Sequence, residues 1–246
     1  MPPSTIAVLR KTFSLYEANW ALFLKYTLVM VLSIAITSIS QSFFRASYEQ
    51  TGVLPPLPIL AGEVLIILLL SGITLWGTIT LIRVIWNKYA GKPVDSFFKE
   101  MFLSFPLIPS FLWVIILFGL SAVGGLLLLI IPAFIFSLWF FFSSYARIID
   151  NKKGTEALRF SKNLVKKDWA TVLWVIISLT VLIFGSLELT QLVVDFVFTF
   201  LYGVTTSPVI AVFGFVFNLL TNIAFAPVYI IAITILYSEL KSLQTT

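Results

Sequence analysis

The stretch MFLSFPLIPSFLWVIILFGLSAVGGLLLLIIPAFIFSLWFFFSSYA, from Met101 to Ala146, carries no charged residue. A helix crosses a hydrocarbon core of about 30 Å in about 20 residues, so this run is roughly twice as long as one crossing needs. It has to fold back on itself. Gly119, Gly124 and Gly125 form its only cluster of turn-permissive residues, which predicts a span from about Pro106 to Val123 and another from Gly125 to Ile148. Pro132 removes a backbone donor from the latter, so a kink is expected there.

The same rule yields the other spans. A first runs from about Trp20 to Phe43, and a second from about Ile59 to Trp86, between the prolines at 55, 56 and 58 and the cations Arg83 and Lys88. A fifth starts at Trp169 and ends near Leu187, and a sixth runs from near Pro208 to about Tyr237 with Pro227 inside it. Glu188 to Val204 remains, with Glu188, Gln191 and Asp195 on one helical face and Leu192, Val193, Phe196 and Phe200 on the other. A mid-membrane charge costs roughly 2.5–3.5 kcal/mol, so this segment reads as an interfacial helix lying in the membrane plane.

Composition places the whole chain in the same class. Of 246 residues 59% are hydrophobic and 11% charged, with 24 Phe and 7 Trp, whereas soluble domains carry about 25% charged residues. The fold class is therefore an all-α integral membrane protein, read as one membrane domain over 1–246. The absence of His and Cys excludes Ser-His and Cys nucleophiles, disulfides, and zinc, haem or iron–sulfur sites built on those ligands. No phosphate-binding loop, dinucleotide fingerprint or acidic metal cluster is present, so no cofactor, no metal and no catalytic residue is expected.

Charge sets the orientation. With six spans, Arg10, Lys11, Lys25, Arg83, Lys88, Lys92, Lys99, the cations from Arg147 to Lys167, and Lys241 all fall on one side, and Arg45 alone on the other. The positive-inside rule places that side, and both termini, in the cytoplasm of a cell (inner or plasma) membrane. Glu49, Glu63, Glu188 and Asp195 then lie outside. The residues before Trp20 are of mixed polarity and lack a small-residue cleavage site, so a retained N-terminus is expected rather than a cleaved signal.

An internal repeat organises these spans. Setting Leu9 on Leu158 also sets Arg10 on Arg159, Leu15 on Leu164, Trp20 on Trp169 and Ala21 on Ala170, with Thr12 on Ser161 and Asn19 on Asp168 as similar pairs. Both windows are basic amphipathic helices that end where the chain enters the membrane. Asp95 to Phe105 repeats the design more weakly before the third span. Three units are expected, 1–88, 89–150 and 151–246, each a cytoplasmic amphipathic helix followed by a transmembrane hairpin.

One region carries a family likeness. Leu129-Ile130-Ile131-Pro132-Ala133-Phe134, an aromatic-rich span, and then Gly154-Thr155-Glu156-Ala157-Leu158-Arg159-Phe160-Ser161-Lys162-Asn163-Leu164-Val165-Lys166-Lys167-Asp168-Trp169 resembles the membrane domain of the glycerophosphodiester phosphodiesterase membrane-domain family and related bacterial six-helix membrane proteins. Ala133 stands where that family usually has Gly. The resemblance implies a fold and a bacterial-type membrane location. Some members carry a phosphodiesterase barrel whose chemistry uses histidines, and a chain without His takes over none of that chemistry.

Two constellations are candidates for function. The loop cations Arg147, Lys152, Lys153, Arg159, Lys162, Lys166 and Lys167 suit anionic lipid head groups, each contributing on the order of 1 kcal/mol near a membrane surface, or serve simply as the topology signal. Ser161 falls on the apolar face of that helix and reads as a packing contact. Glu63, Glu188, Gln191, Asp195, Asn218 and Asn222 either line an outward-facing polar cavity or are an interfacial wet face and interhelical hydrogen bonds. Glu63 by itself reads as an acid exposed at the outer interface, with a buried pair to Arg45 as the other reading.

The leading functional reading is a non-enzymatic membrane protein whose basic helices engage anionic lipids, a protein partner or a second copy of the chain, in envelope maintenance or assembly. The rival is a small transporter or channel for a cation or polar solute, using the outer acidic and Asn surface. Nucleic acid is not an expected partner, because the net charge of +5 arises from positive-inside loops. Single substitutions Gln191→Cys, Asp195→Cys, Asn218→Cys and Asn222→Cys separate the readings: a lined cavity predicts that all four react with a water-soluble thiol reagent from outside. Reaction at only the first two contradicts it.

Overall fold

The computed structural model describes residues 3–52, 55–128, 130–205 and 207–245, and among these every regular element is helical. Leu129, the first residue of the proline-containing motif, lies outside the described residues. Six helical segments are long and apolar enough to cross a membrane.

Helix α1, Thr5–Thr51, starts on Ser4, whose hydroxyl accepts from the Ala7 N–H at 3.3 Å, and ends on Gly52 in the left-handed conformation. It bends at Asn19 (φ −137°, ψ 18°), where the side-chain amide donates to the Leu15 carbonyl at 3.1 Å. The bend falls between the basic amphipathic segment and the span. At the matching place in the repeat, Lys167 and Asp168 separate α7 (Gly154–Lys166) from α8 (Trp169–Thr205). Burial repeats as well: Val8 and Ala157, Thr12 and Ser161, Phe23 and Val172, Tyr26 and Val175, Met30 and Leu179 are all buried.

Helix α2, Leu57–Tyr89, packs along α1. A short α3, Phe97–Ser104, and a 3₁₀ turn, Phe105–Leu107, lead into α4, Ile108–Leu128, which packs along α5, Ile130–Phe140. Helix α4 continues through all three glycines to Leu128, so the run does not turn where the glycines suggest. Those glycines are not used for turning. A Cβ on Gly125 would sit 2.7 Å from the Ala133 Cα, so this residue is small because two backbones touch there, while Gly119 and Gly124 face open space.

Pro132 lies near the described start of α5, and this span breaks at Phe141 and Phe142, before α6, Ser143–Ile149.

Helix α8 corrects a further expectation. Glu188 to Val204 is not a separate helix in the membrane plane but the continuation of a 37-residue helix, which at about 1.5 Å per residue is roughly 55 Å long. It packs along α9, Pro208–Thr245, and α9 continues as helix past Tyr237, where the sixth span is expected to end.

The buried core lies towards one end. Ile231 to Tyr237 of α9 is fully buried on every side, the pattern of a central rather than a peripheral helix. Around it pack Phe23 and Tyr26 of α1, Leu81, Val84 and Ile85 of α2, Phe142, Ala146 of α6, and Val172, Val175 and Leu179 of α8. At the opposite end Leu57, Leu189, Phe196, Phe200 and Phe213 remain exposed, so the buried core does not extend there.

The glycines give a direct test. Gly125→Ala is expected to destabilise the protein by about 1–3 kcal/mol through backbone overpacking, whereas Gly124→Ala is expected to be neutral or to stabilise by up to about 1 kcal/mol through helix propensity. Thermal unfolding in detergent reads both, and equal effects at the two sites would refute the hairpin packing.

Candidate functional site

The packed end carries most of the cations, and there the chain ends are tied together. Glu239 of α9 accepts from the Lys11 ammonium of α1 and, at 2.9 Å, from the Tyr89 hydroxyl of α2. Asp150, in the loop after α6, accepts from both the Tyr237 hydroxyl and the Lys241 ammonium, and that ammonium lies 5.6 Å from the Trp86 ring. The Gln244 side chain donates to the Asn163 carbonyl of α7 at 2.9 Å. Sequence reading missed Asp150 and Glu239, because an acid among many cations looks solvated until the partner helices are in place.

Helix α7 lies across this end with Ala157, Leu158, Ser161, Leu164 and Val165 buried, as its amphipathic pattern predicts. Ser161 does more than pack. Its hydroxyl donates to the Trp139 carbonyl at 2.7 Å and accepts from the Phe142 N–H at 3.0 Å, bridging the break between α5 and α6. Both backbone groups would otherwise be left without a partner inside an apolar span.

The seven loop cations separate into four groups. Arg147 is buried, donating from Nε to the Ser110 hydroxyl at 2.6 Å and from Nη1 to Asn151, so it faces the protein and not the surface. Lys152 bonds Glu156 at 2.6 Å, and this mutual hydrogen bond holds the lysine above and the glutamate below their ordinary pKa values. The Lys162 ammonium sits 4.2 Å from the centre of the Trp139 ring. Lys153, Arg159, Lys166 and Lys167 are exposed, and among the described residues no acid lies within salt-bridge distance of them. Beside them Trp169 is half exposed, as is Trp20 at the repeat position.

The outer polar residues form two separate sets. Asn218 donates to Asp195 at 2.7 Å across α8 and α9, and Asn222 donates to the Asn218 carbonyl at 2.9 Å. Asn218 and Asn222 line a trough of about 510 Å³ between α1 and α9. Glu63 stands apart on α2: it is buried, accepts from the Ser40 hydroxyl at 2.6 Å, and keeps one carboxyl oxygen unpartnered. It is neither an exposed interfacial acid nor paired with Arg45, which is exposed. Glu188 is exposed and Gln191 half-buried on α8, and neither lines the trough.

A further buried acid escaped sequence reading. Glu100 of α3 accepts from the Asp95 N–H at 3.1 Å, and its other oxygen lies 3.5 Å from Nε of Arg83. It tethers α3 to α2. Trp76 adds to this by donating to the Met101 carbonyl at 2.8 Å. Among the described residues no group of three or more acids stands close enough to hold a metal ion.

Six membrane-length apolar helices joined at one end define a multi-pass helical membrane protein. A curated UPF0259 membrane protein of Wigglesworthia glossinidia brevipalpis is similar to it, 33% identical over 116 residues that make up 44% of this chain and 43% of the relative. The match thus spans less than half of that relative's length. No protein-family model matches the chain, and no solved structure matches it. The similarity supports a bacterial multi-pass membrane protein; it does not reach the glycerophosphodiester phosphodiesterase membrane-domain family.

Removing the Ser161 hydroxyl leaves the Trp139 carbonyl and the Phe142 N–H unpaired. Ser161→Ala is expected to cost about 1–3 kcal/mol of stability, read as a lower unfolding temperature in detergent. An unchanged temperature would show that the break needs no side-chain bridge.

Proposed function

We propose that this chain is a non-enzymatic membrane protein that engages anionic lipids through its basic end. The observation that carries the reading is the surface of α7, where Lys153, Arg159, Lys166 and Lys167 are exposed, with no acidic partner among the described residues, beside a half-exposed Trp169. A buried apolar face fixes that helix to the core, so its cations are held at the membrane boundary without further ordering of the backbone. Each exposed cation at an anionic surface contributes on the order of 1 kcal/mol.

In this reading the basic end faces the cytoplasm of the cell membrane, as the positive-inside rule requires, and both termini lie there. The chain is organised as three units, each an amphipathic helix followed by a hairpin. The matched bends at Asn19 and at Lys167–Asp168 and the matched burial of the two windows support the first and third units. The likeness of the Pro132 and α7 segments to the glycerophosphodiester phosphodiesterase membrane domain belongs to the same reading, with no phosphodiester chemistry attached.

Native mass spectrometry of the purified protein tests it. The natural chain is expected to retain phosphatidylglycerol or cardiolipin, and the fourfold variant Lys153→Gln, Arg159→Gln, Lys166→Gln, Lys167→Gln to lose most of it, while Arg147 is left unchanged to preserve the fold. Equal retention by the two proteins would overturn the proposal.

A further inference from the structure

A cleft lies at the end of the molecule away from the buried core. The trough between α1 and α9 has apolar walls from Val31, Ile34, Leu219 and Ala226, with Asn222 partway along it and Ser42 and Asn218 nearer the far end. A second pocket, of about 270 Å³, shares Phe215 and Asn218 with it and is lined by Asp195, Thr199 and Tyr202. The two therefore form one amphipathic cleft. Its main chamber falls in the range of about 300–1,000 Å³ that small-molecule sites occupy.

Depth decides what kind of molecule fits. Measured along the helix from the belt residue Trp20, Val31 lies about 16 Å in and Ser42 about 33 Å in, and from Trp169 to Asp195 is about 39 Å. In a bilayer of about 30 Å the trough starts near the midplane and its polar crown reaches the opposite head-group layer. That is the placement of one lipid molecule of that leaflet, with its chain in the trough and its head at Asp195.

Charge decides which head group. Asp195 carries the single formal charge among the residues lining both pockets, one of its oxygens accepts from Asn218, and among the described residues no Lys or Arg lies within salt-bridge distance of it. A primary ammonium supplies N–H donors to a carboxylate and neighbouring hydroxyls, a quaternary ammonium supplies none, and an anionic head finds no cation there. We propose that the cleft between α1, α8 and α9 binds one aminophospholipid of the leaflet opposite the basic end, with the ammonium on Asp195 and an acyl chain along Val31 and Leu219. This site is independent of the anionic-lipid surface on α7.

The test uses the full chain in nanodiscs containing equal amounts of phosphatidylethanolamine, phosphatidylcholine and phosphatidylglycerol with identical acyl chains, released for native mass spectrometry. The natural protein is expected to retain one phosphatidylethanolamine, enriched about tenfold over phosphatidylcholine as one charge-assisted hydrogen bond allows. Asp195→Asn is expected to abolish that preference, and Ala35→Trp, which fills the trough, to lose the lipid whatever its head group. Lys166→Gln with Lys167→Gln is expected to lower phosphatidylglycerol and leave phosphatidylethanolamine retained, so failure of this site is read separately from failure of the α7 surface. Equal retention of phosphatidylethanolamine and phosphatidylcholine by the natural chain would overturn the proposal, as would an unchanged preference in Asp195→Asn, whose exposed position leaves the fold intact.

Discussion

Complete burial of Ile231 to Tyr237 is the constraint on which the rest of the structure depends. A helix that touches protein on every side has to be surrounded, so α1, α2, α6, α7 and α8 converge on this part of α9. Tyr237 marks the centre of the convergence, with its ring 5.9 Å from Phe142, 6.0 Å from Tyr145 and 6.4 Å from Phe160, and its hydroxyl on Asp150. The next turn, through Glu239 and Lys241, ties in the ends of α1 and α2 and the loop after α6. The core is concentrated at this end, and both proposed lipid sites follow from that asymmetry: cations at the packed end, a cleft at the other.

Hydrocarbon adds a second constraint, since it offers backbone groups no hydrogen bonds. Irregular backbone is accordingly met by a side chain. Asn19 turns its amide onto the Leu15 carbonyl at the bend in α1, and Ser161 bridges the break at Phe141 and Phe142; the Tyr16 hydroxyl, donating at 3.0 Å to the Ala224 carbonyl, ties α1 to α9. Asn19 and Ser161, the latter a packing contact on sequence alone, thus make internal breaks tolerable in an apolar medium.

The number of spans and the amphipathic helix α7 were legible because they rest on local rules, the length of uncharged runs and the 3.6-residue period. The two windows of the repeat were legible for the same reason, as they place small and apolar side chains at matched buried positions. What escaped depends on residues distant in sequence. Gly125 is small because Ala133 passes over it, which a count of turn-permissive residues mistakes for a turn. Glu188 and Asp195 suggested a helix lying in the membrane plane because each charge was weighed alone, before Asn218 on a neighbouring helix was known to partner Asp195. Arg147 resembles the other loop cations until Ser110 and Asn151 enclose it, and Glu63 looks interfacial until Ser40 of α1 covers it. In each case the composition was right and the partner was missing.

The central claim is that a rigid, closed end presents α7 to an anionic surface while the far end stays open. Hydrogen exchange of the protein in vesicles, compared between purely zwitterionic and partly anionic lipid, tests it most directly. The account predicts slowest exchange at Ile231 to Tyr237 in both lipids, and protection of Gly154–Lys166 that increases when anionic lipid is present. Protection of α7 that is the same in the two vesicles, or slowest exchange at the far ends of α8 and α9, would contradict it.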